Sequence, residues 1–573
     1  MSTRPENGDL THMPESAPFG DVTQTFRLVL NGVELAVRRN DRIDAHLERA
    51  PHPGQLPPLG LIVNNRLTGL SRRVTADCEA STVDYGTKEG AYIYRRTASL
   101  ILYTAVNELF PKAEIEIGQS IHGGYFFEVP GRTVTPDFVT SIAERMNEIV
   151  NESLKIAFRR LFVDEVVDLL ERMGFRDKVR WVSQTPRGYL WMAELRGFYD
   201  ILRGPLAPET THIRNWTLDA YRHGFILRFP RTDGTPPGPI RTDRPLLFST
   251  FQRVRRDNEI LGVKNVSDLT DALVRGESDE LIRASEALFE KRIMEISREI
   301  EERRERVRIL FISGPSSSGK TTFSKKLGVF LRVMGVKPVT LSMDNYYVDR
   351  VETPKHADGS YNFEAPEALD IELFNDNLER LILGEEVSGP VYDFREGIRH
   401  PSKTVPMRLG ENQILIIEGL HALNDRMHAR IPRNAKFLIF VSALTQLAID
   451  QHNRIFTSDT RLLRRIVRDR KFRGYAAAET IRTWASVRAG EENYIYPFQE
   501  EADVMFNSAL VYEHAVLAPY AKRFLLEVPS SDPAYVEAIR LYEFADLFLP
   551  IFPEEVPRDS VLREFIGGSG FSY

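Results

Sequence analysis

Between Arg308 and Asp344 the chain reads RILFISGPSSSGKTTFSKKLGVFLRVMGVKPVTLSMD. An apolar run, Ile309 to Ile312, leads into Gly314-Pro315-Ser316-Ser317-Ser318-Gly319-Lys320-Thr321, and a helical pattern follows. This is G-x-x-x-x-G-K-[ST] with a strand before it and a helix after it, the context in which that spacing carries chemistry. Glycines let the backbone curl until successive N–H groups point at one anion, and the positive end of the following helix adds to that field. Gly314, Ser316, Ser317, Ser318, Gly319, Lys320, Thr321 and Thr322 are therefore expected to cradle the phosphates of a nucleoside triphosphate. Lys320 would reach the outer phosphates and the Thr321 hydroxyl would ligate Mg²⁺. A chance glycine-rich turn is the competing reading, and the flanking elements weigh against it.

Three further groups bear on the same chemistry. Leu341-Ser-Met-Asp344-Asn-Tyr-Tyr347 reads as a strand ending in a carboxylate and aromatics. Ligands of an open parallel sheet gather beyond the C-terminal strand ends, so Asp344 and Tyr347 should face the phosphates. The apolar run Gln413 to Ile417 ends in Glu418-Gly419. An acid there can hold Mg²⁺ directly or through water, the bland alternative being a capping glutamate on a core strand. Lastly, Arg461, Arg464, Arg465 and Arg468 fall on overlapping faces of a predicted helix, with Arg473 beyond them. Arginines are poor core residues, and cations beside a triphosphate are what a closing lid needs; a merely basic exposed helix is the alternative.

The elements that must position these groups belong to a long chain. Its 573 residues are too many for one core, and 42% hydrophobic with 27% charged residues is the composition of a soluble multidomain protein. A net charge of −6 gives no support by itself for nucleic-acid binding, and the single cysteine, Cys78, excludes an intramolecular disulfide and fits a reducing, cytoplasmic setting. No apolar run approaches membrane-spanning length. Residues 1–22 read as a disordered lead-in without the apolar stretch of a signal peptide. Two alternating runs about Asn31-Gly32 predict a hairpin, and Leu61 to Arg66 reads as a strand. Helical spacing predicts a helix over Tyr92–Leu109 and a second from Pro136 to about Met173, opened by a Thr135-Pro136 cap. Arg222, Arg228, Arg231, Arg241 and Arg253 to Arg256 suggest an RNA footprint until Asp219, Asp233, Asp243 and Asp257 are seen among them; a solvated surface is the preferred reading. Ser267 to Arg306 reads as charged helix interrupted at Gly276, either a connector or part of a dimer interface, so a homo-oligomer stays open. Phe498 to Asn507 predicts a late strand and Ala534 to Leu549 a helix-like segment.

Two resemblances join these readings. RRTASLILYTAVNELFPKAEIEIGQSIHGGYFFEV and GFYDILRGPLAP look like the second N-terminal domain of threonyl-tRNA synthetase, and the preceding hairpin module looks like that enzyme's small TGS domain, over roughly residues 25–230. The resemblance would imply editing through two ligand pairs, but Arg96, Leu100, Leu202 and Leu206 stand at their four positions. Leucine neither ligates a metal nor moves a proton, so editing is expected to be lost. GPSSSGKTT, LSMDNYYVD, YNFEAPEALD, VYDF, IIEG and RLLRRIVRDRKFRG, over about residues 307–515, look like uridine kinase in the uridine kinase and phosphoribulokinase group, and the whole arrangement resembles the bacterial uridine-kinase-related nucleoside kinases.

That resemblance implies roles for individual residues. Asp344 falls at the catalytic carboxylate, Tyr347 and Tyr392 at nucleoside-contacting aromatics, and Glu364 where the family has an Asp that holds ribose hydroxyls. Glu418 matches the metal-site acid, and Arg465, Arg468 and Arg473 match substrate and lid arginines. Gly397 stands where the family has a base-reading His, and Tyr475 replaces the last lid arginine, so phosphoryl transfer is better supported than uridine as acceptor.

The fold class expected is α/β: a C-terminal phosphate-loop kinase domain on a parallel sheet, preceded by α+β TGS-like and editing-like domains. The expected boundaries are 23–90 for the TGS-like part, 91–255 for the editing-like part and 256–306 for the connector. The kinase is expected over 307–530 and a C-terminal extension over 531–573. The activity expected is Mg²⁺- and ATP-dependent phosphorylation of a nucleoside 5′-hydroxyl, uridine- or cytidine-like. Two alternatives stay open: a kinase of another hydroxyl acceptor such as a sugar phosphate, and an ATP-dependent RNA-binding regulator that engages tRNA.

Overall fold

The computed structural model describes residues 24–356, 359–393 and 396–572. The predicted lead-in and Phe394 of the V-Y-D-F motif lie outside those residues. The chain divides into two compact units: 1–114, 129–162 and 188–238 form one, and 115–128, 163–187 and 239–573 form the other.

In the first unit, five strands order as Val33–Arg38, Thr25–Leu30, Cys78–Val83, Gly60–Val63 and Arg66–Gly69. The hairpin at Asn31-Gly32 is present, both turn residues having positive φ (50° and 83°), as its tight turn requires. Leu61 to Arg66 is not one strand: Asn64 and Asn65, also at positive φ, fold it into a second hairpin. Alternation puts Leu28, Leu30, Leu35, Val37 and Leu61 on the inner face with Ile43. The predicted long helix is Lys88–Leu109, capped by Thr87, whose hydroxyl accepts from the Gly90 N–H at 3.1 Å. The Thr135-Pro136 start is also present, but that helix stops at Asn151; a strand, Ala157–Phe162, follows, and the chain then enters the second unit with another helix, Val163–Arg172. Apolar residues at helical spacing on either side of the strand imitated one continuous helix.

In the second unit, five parallel strands form the sheet that carries the phosphate loop: β1 (Ile309–Ser313), β2 (Lys337–Ser342), β3 (Gln413–Glu418), β4 (Lys436–Ser442) and β5 (Val504–Asn507). Their order is β2-β3-β1-β4-β5. Ile309 to Ile312 on the central strand are each 0% exposed, which accounts for their continuous apolar run. Burying each such side chain contributes about 1.5–3 kcal/mol before chain entropy is counted. The helix α1 (Lys320–Val333) leaves the end of β1; α2 (Thr457–Arg468) and α3 (Ala477–Tyr494) carry the basic stretch and the helix after it. Only the last four residues of the predicted Phe498–Asn507 strand are strand, because Tyr496–Glu501 form a 3₁₀ turn. The charged connector is indeed broken at Gly276, between Val266–Val274 and Ser278–Glu302. Among the described residues no helix is long and apolar enough to cross a membrane.

Candidate active site

The loop between β1 and α1 is shaped by contacts a side chain would destroy. A Cβ at Gly314 would lie 1.9 Å from the Val441 carbonyl oxygen, so the loop can cross β4 only with glycine there. Lys320 is 8% exposed and its Nζ donates to the Pro315 carbonyl at 3.2 Å. Burial pushes its ammonium pKa down, against the pull of Glu418, Asp344, Glu564 and Glu491.

The sheet register brings the acids to this loop. Glu418 at the end of β3 pairs with Ile312 on β1 and with Ser342 on β2. The Thr321 hydroxyl donates to Glu418 Oε2 at 3.2 Å. Asp344 follows Ser342, whose hydroxyl accepts the Asp344 N–H at 3.3 Å. Desolvation by the cleft walls raises the Asp344 carboxyl above its ordinary range, opposed by Lys320 and Arg473; because the residue is open to water at the surface, solvent tempers that push. Burial raises Glu418 to about 7, with Lys320 pulling the other way. A half-buried carboxylate short of positive charge, hydrogen-bonded to a hydroxyl, fits a hard divalent cation. Among the described residues no three His, Cys, Asp or Glu side chains converge as a metal site.

Tyr347 and Tyr392 form one wall, their ring centroids 5.6 Å apart and both less than a tenth exposed; the Tyr347 hydroxyl donates to the Phe363 carbonyl at 3.3 Å. Glu364 lies beside this wall, raised to about 7 by burial while Arg465 pulls it down. A Cβ at Gly490 would sit 2.4 Å from the Glu364 Cβ, so the glycine in α3 makes room for that acid. Gly397 is also explained: its φ is +73°, and a Cβ there would meet the Arg350 guanidinium at 2.6 Å. A cation fills the space a side chain at position 397 would need.

The arginines divide into two sets, and one expectation is corrected. Arg461 and Arg464 are 0% exposed and are core residues of this unit, not lid cations. Arg461 pairs with Glu491 at 2.5 Å and Arg464 with Glu513, each pair fully buried. They hold the phosphate loop from behind: Glu491 Oε1 accepts the Ser316 N–H at 2.9 Å, and Arg464 donates to the carbonyls of Ser317 at 3.4 Å and Ser508 at 2.9 Å. Arg465, Arg468 and Arg473 form the second set. Arg465 reaches the Ser316 hydroxyl at 2.9 Å, and all three converge on Asp469, at 3.3, 2.9 and 3.5 Å. Desolvation against the cluster, then repulsion from Arg468, lowers the pKa of Arg473, although its half-exposed side chain lets solvent temper that push. Asp469 and Glu491 were not singled out from the sequence. The i, i+4 spacing of Arg465, Asp469 and Arg473 is a local signal that points to Asp469, whereas nothing local marks Glu491. Glu491→Ala leaves Arg461 charged and unpaired in the core, and is expected to cost roughly 3–5 kcal/mol of stability by denaturant unfolding. A loss below about 1 kcal/mol would place that pair in solvent.

In the first unit, three of the four positions compared with the synthetase's ligand pairs can also be placed. The Thr97 hydroxyl accepts the Ala207 N–H at 2.9 Å, so the long helix meets the 202–207 loop. Leu100 and Leu206 are 4% and 6% exposed, and Arg96 lies against Gly204, where a Cβ would be 2.3 Å from its Nη1. These positions are occupied by packed side chains. Of the arginines considered for RNA, Arg228 is buried and pairs with Asp219 at 3.5 Å, which corrects the solvated-surface expectation at that position, and the half-buried Arg255 pairs with Glu116 and Glu128.

Comparisons with known proteins match two separate parts of the chain. Residues 309–513 match the family model described as Phosphoribulokinase / Uridine kinase family. The N-terminal region is similar to threonine–tRNA ligases: 33% identical over 158 residues to that of Wolbachia sp. subsp. Drosophila simulans (27% of this chain, 25% of the relative). It is 28% identical over 216 residues to that of Coxiella burnetii (36% of this chain, 33% of the relative). The chain thus spans a quarter to a third of the length of these curated relatives. Among solved structures, phosphoribulokinase from Rhodobacter spheroides is similar at 21% identity and a TM-score of 0.25, over 35% of this chain and 70% of that one.

Proposed function

We propose that the phosphoribulokinase and uridine kinase family domain in this chain transfers the γ-phosphate of ATP to the hydroxyl of a small acceptor, a nucleoside 5′-hydroxyl being the first candidate. The observation that carries this reading is the convergence of Lys320, Thr321, Glu418, Asp344 and Arg465 at the C-terminal edge of one parallel sheet. Phosphoryl transfer asks the protein for positioning and charge neutralisation more than for covalent chemistry. Lys320 and the loop amides would bind the phosphates, and Asp344 would orient the acceptor hydroxyl and take its proton. Arg465, Arg468 and Arg473, gathered on Asp469, would meet the charge that develops on the transferring group. Mg²⁺, held by Thr321 and Glu418, would supply further neutralisation of the phosphate oxygens.

One observation favours a second acceptor class. Arg350 occupies the space beside Gly397, near Tyr392, and a guanidinium suits an acceptor that already carries a phosphate. A panel of nucleosides and sugar phosphates, tested with ATP, separates the two. Turnover of nucleosides alone supports the first reading. Turnover of a sugar phosphate, lost in Arg350→Gln, supports the second.

For the rest of the chain we propose a TGS-like module at 23–90, a synthetase-like module without editing chemistry at 91–255, and a helical connector at 256–306. The kinase would follow at 307–530, with a C-terminal extension at 531–573. A cytoplasmic setting agrees with the single cysteine.

A further inference from the structure

The C-terminal segment reaches the phosphate loop. Glu564, in the one-turn helix Arg563–Ile566, accepts through Oε2 from the Thr322 N–H at 3.2 Å and from the Thr322 hydroxyl at 2.7 Å. Thr322 lies in the first turn of α1, where a backbone N–H has no partner inside the helix and an anion is favoured. Its donors are ones the sequence assigns to nucleotide phosphate. Lys320 and Glu418 lie close enough to Glu564 to feel its charge.

The segment is held there by contacts on both sides of the carboxylate. Val561 sits over Gly319, where a Cβ would be 2.6 Å from its Cγ2. Asp559 receives Lys326 at 2.8 Å, and the Ser572 carbonyl receives Lys325 at 2.5 Å. Lys471, in the turn after α2, donates to the Ile566 carbonyl. Val561, Leu562 and Phe565 are each 0% exposed. The backbone is thus anchored to α1 and to the base of the arginine cluster, while the half-buried Glu564 side chain can leave without unpacking it.

We propose that the C-terminal segment is an intramolecular competitor of the donor nucleotide, with Glu564 occupying Thr322 donors that a donor phosphate needs. This rests on the reading of the loop as an ATP site. Two anions cannot share those donors, so binding a phosphate there requires the Glu564 carboxylate to swing away. Apparent affinity is then the intrinsic affinity reduced by the fraction of chains with Glu564 withdrawn.

Calorimetric titration of the full-length chain tests this with ADP and with adenosine, which lacks phosphate. Glu564→Ala and Glu564→Gln are expected to bind ADP about tenfold more tightly than wild type while adenosine affinity stays unchanged. Unfolding curves matching wild type check that both variants fold. If wild type binds ADP through Lys320 but the Glu564 variants bind it equally or more weakly, the competition is overturned and the nucleotide site stands. If neither wild type nor variant binds ADP, both fall together.

Discussion

Asp344→Ala is expected to leave ATP affinity close to wild type and to lower turnover by at least about a hundredfold, the scale of a lost general base. Asp344 lies beyond β2, one strand from Glu418, so its removal disturbs neither the loop backbone nor the Thr321–Glu418 contact. Its carboxyl is raised by desolvation and held back by Lys320 and Arg473. It must be ionised to accept the proton of the acceptor hydroxyl. The rate should therefore rise with pH through the Asp344 titration in wild type, and that limb should vanish in the residual activity of Asp344→Asn. Nucleotide titration and initial rates on the same preparations check this. Unchanged turnover in Asp344→Ala would remove the residue from catalysis.

Lys320→Ala is expected to act on binding and turnover together. A hydrogen bond from a charged donor is worth about 1.5–3 kcal/mol, which corresponds to roughly ten- to a hundredfold in nucleotide affinity. Loss of a preorganised cation at the transferring phosphate is expected to remove a further factor of about a hundred to a thousand from turnover. The buried lysine also offsets the negative charge of Glu418 and Asp344, so the variant should hold their protons more firmly. Wild-type ATP affinity in Lys320→Ala would contradict the phosphate-loop assignment. The contrast between the variants is diagnostic: Asp344 separates chemistry from binding, and Lys320 couples them.

What was legible in the sequence was whatever local rules determine. Gly314 to Thr321 sit between an apolar strand and a helix, and both carboxylates stand at strand ends, so the parallel-sheet rule alone put Asp344 and Glu418 near the phosphates. The register then places Glu418 opposite Ser342 and Ile312. What stayed hidden depends on partners far along the chain. Arg461 and Arg464 look like surface cations until Glu491 and Glu513, thirty and forty-nine residues away, are brought against them. Glu564 reaches Thr322 across 242 residues from a segment with no motif of its own. Pro136 to Met173 was misread because the exposed strand Ala157–Phe162 lies between two amphipathic helices. Gly397 was legible as a departure from the family pattern, but only the folded chain shows Arg350 in the vacated space.

In the N-terminal half Leu100 and Leu206 are packed side chains, and Arg228 and Arg255, two of the arginines weighed as an RNA footprint, are paired with acids. The chemistry proposed for this chain lies on β1 to β3 and the arginine cluster. The central claim is phosphoryl transfer at that site. The most direct test incubates full-length protein with Mg²⁺, γ-labelled ATP and a panel of nucleosides and sugar phosphates, with Asp344→Ala in parallel. Label on an acceptor hydroxyl with wild type, falling to background with Asp344→Ala, is the predicted result. Label that stays on ATP or appears only as inorganic phosphate with every acceptor, at equal rates in both proteins, would contradict it.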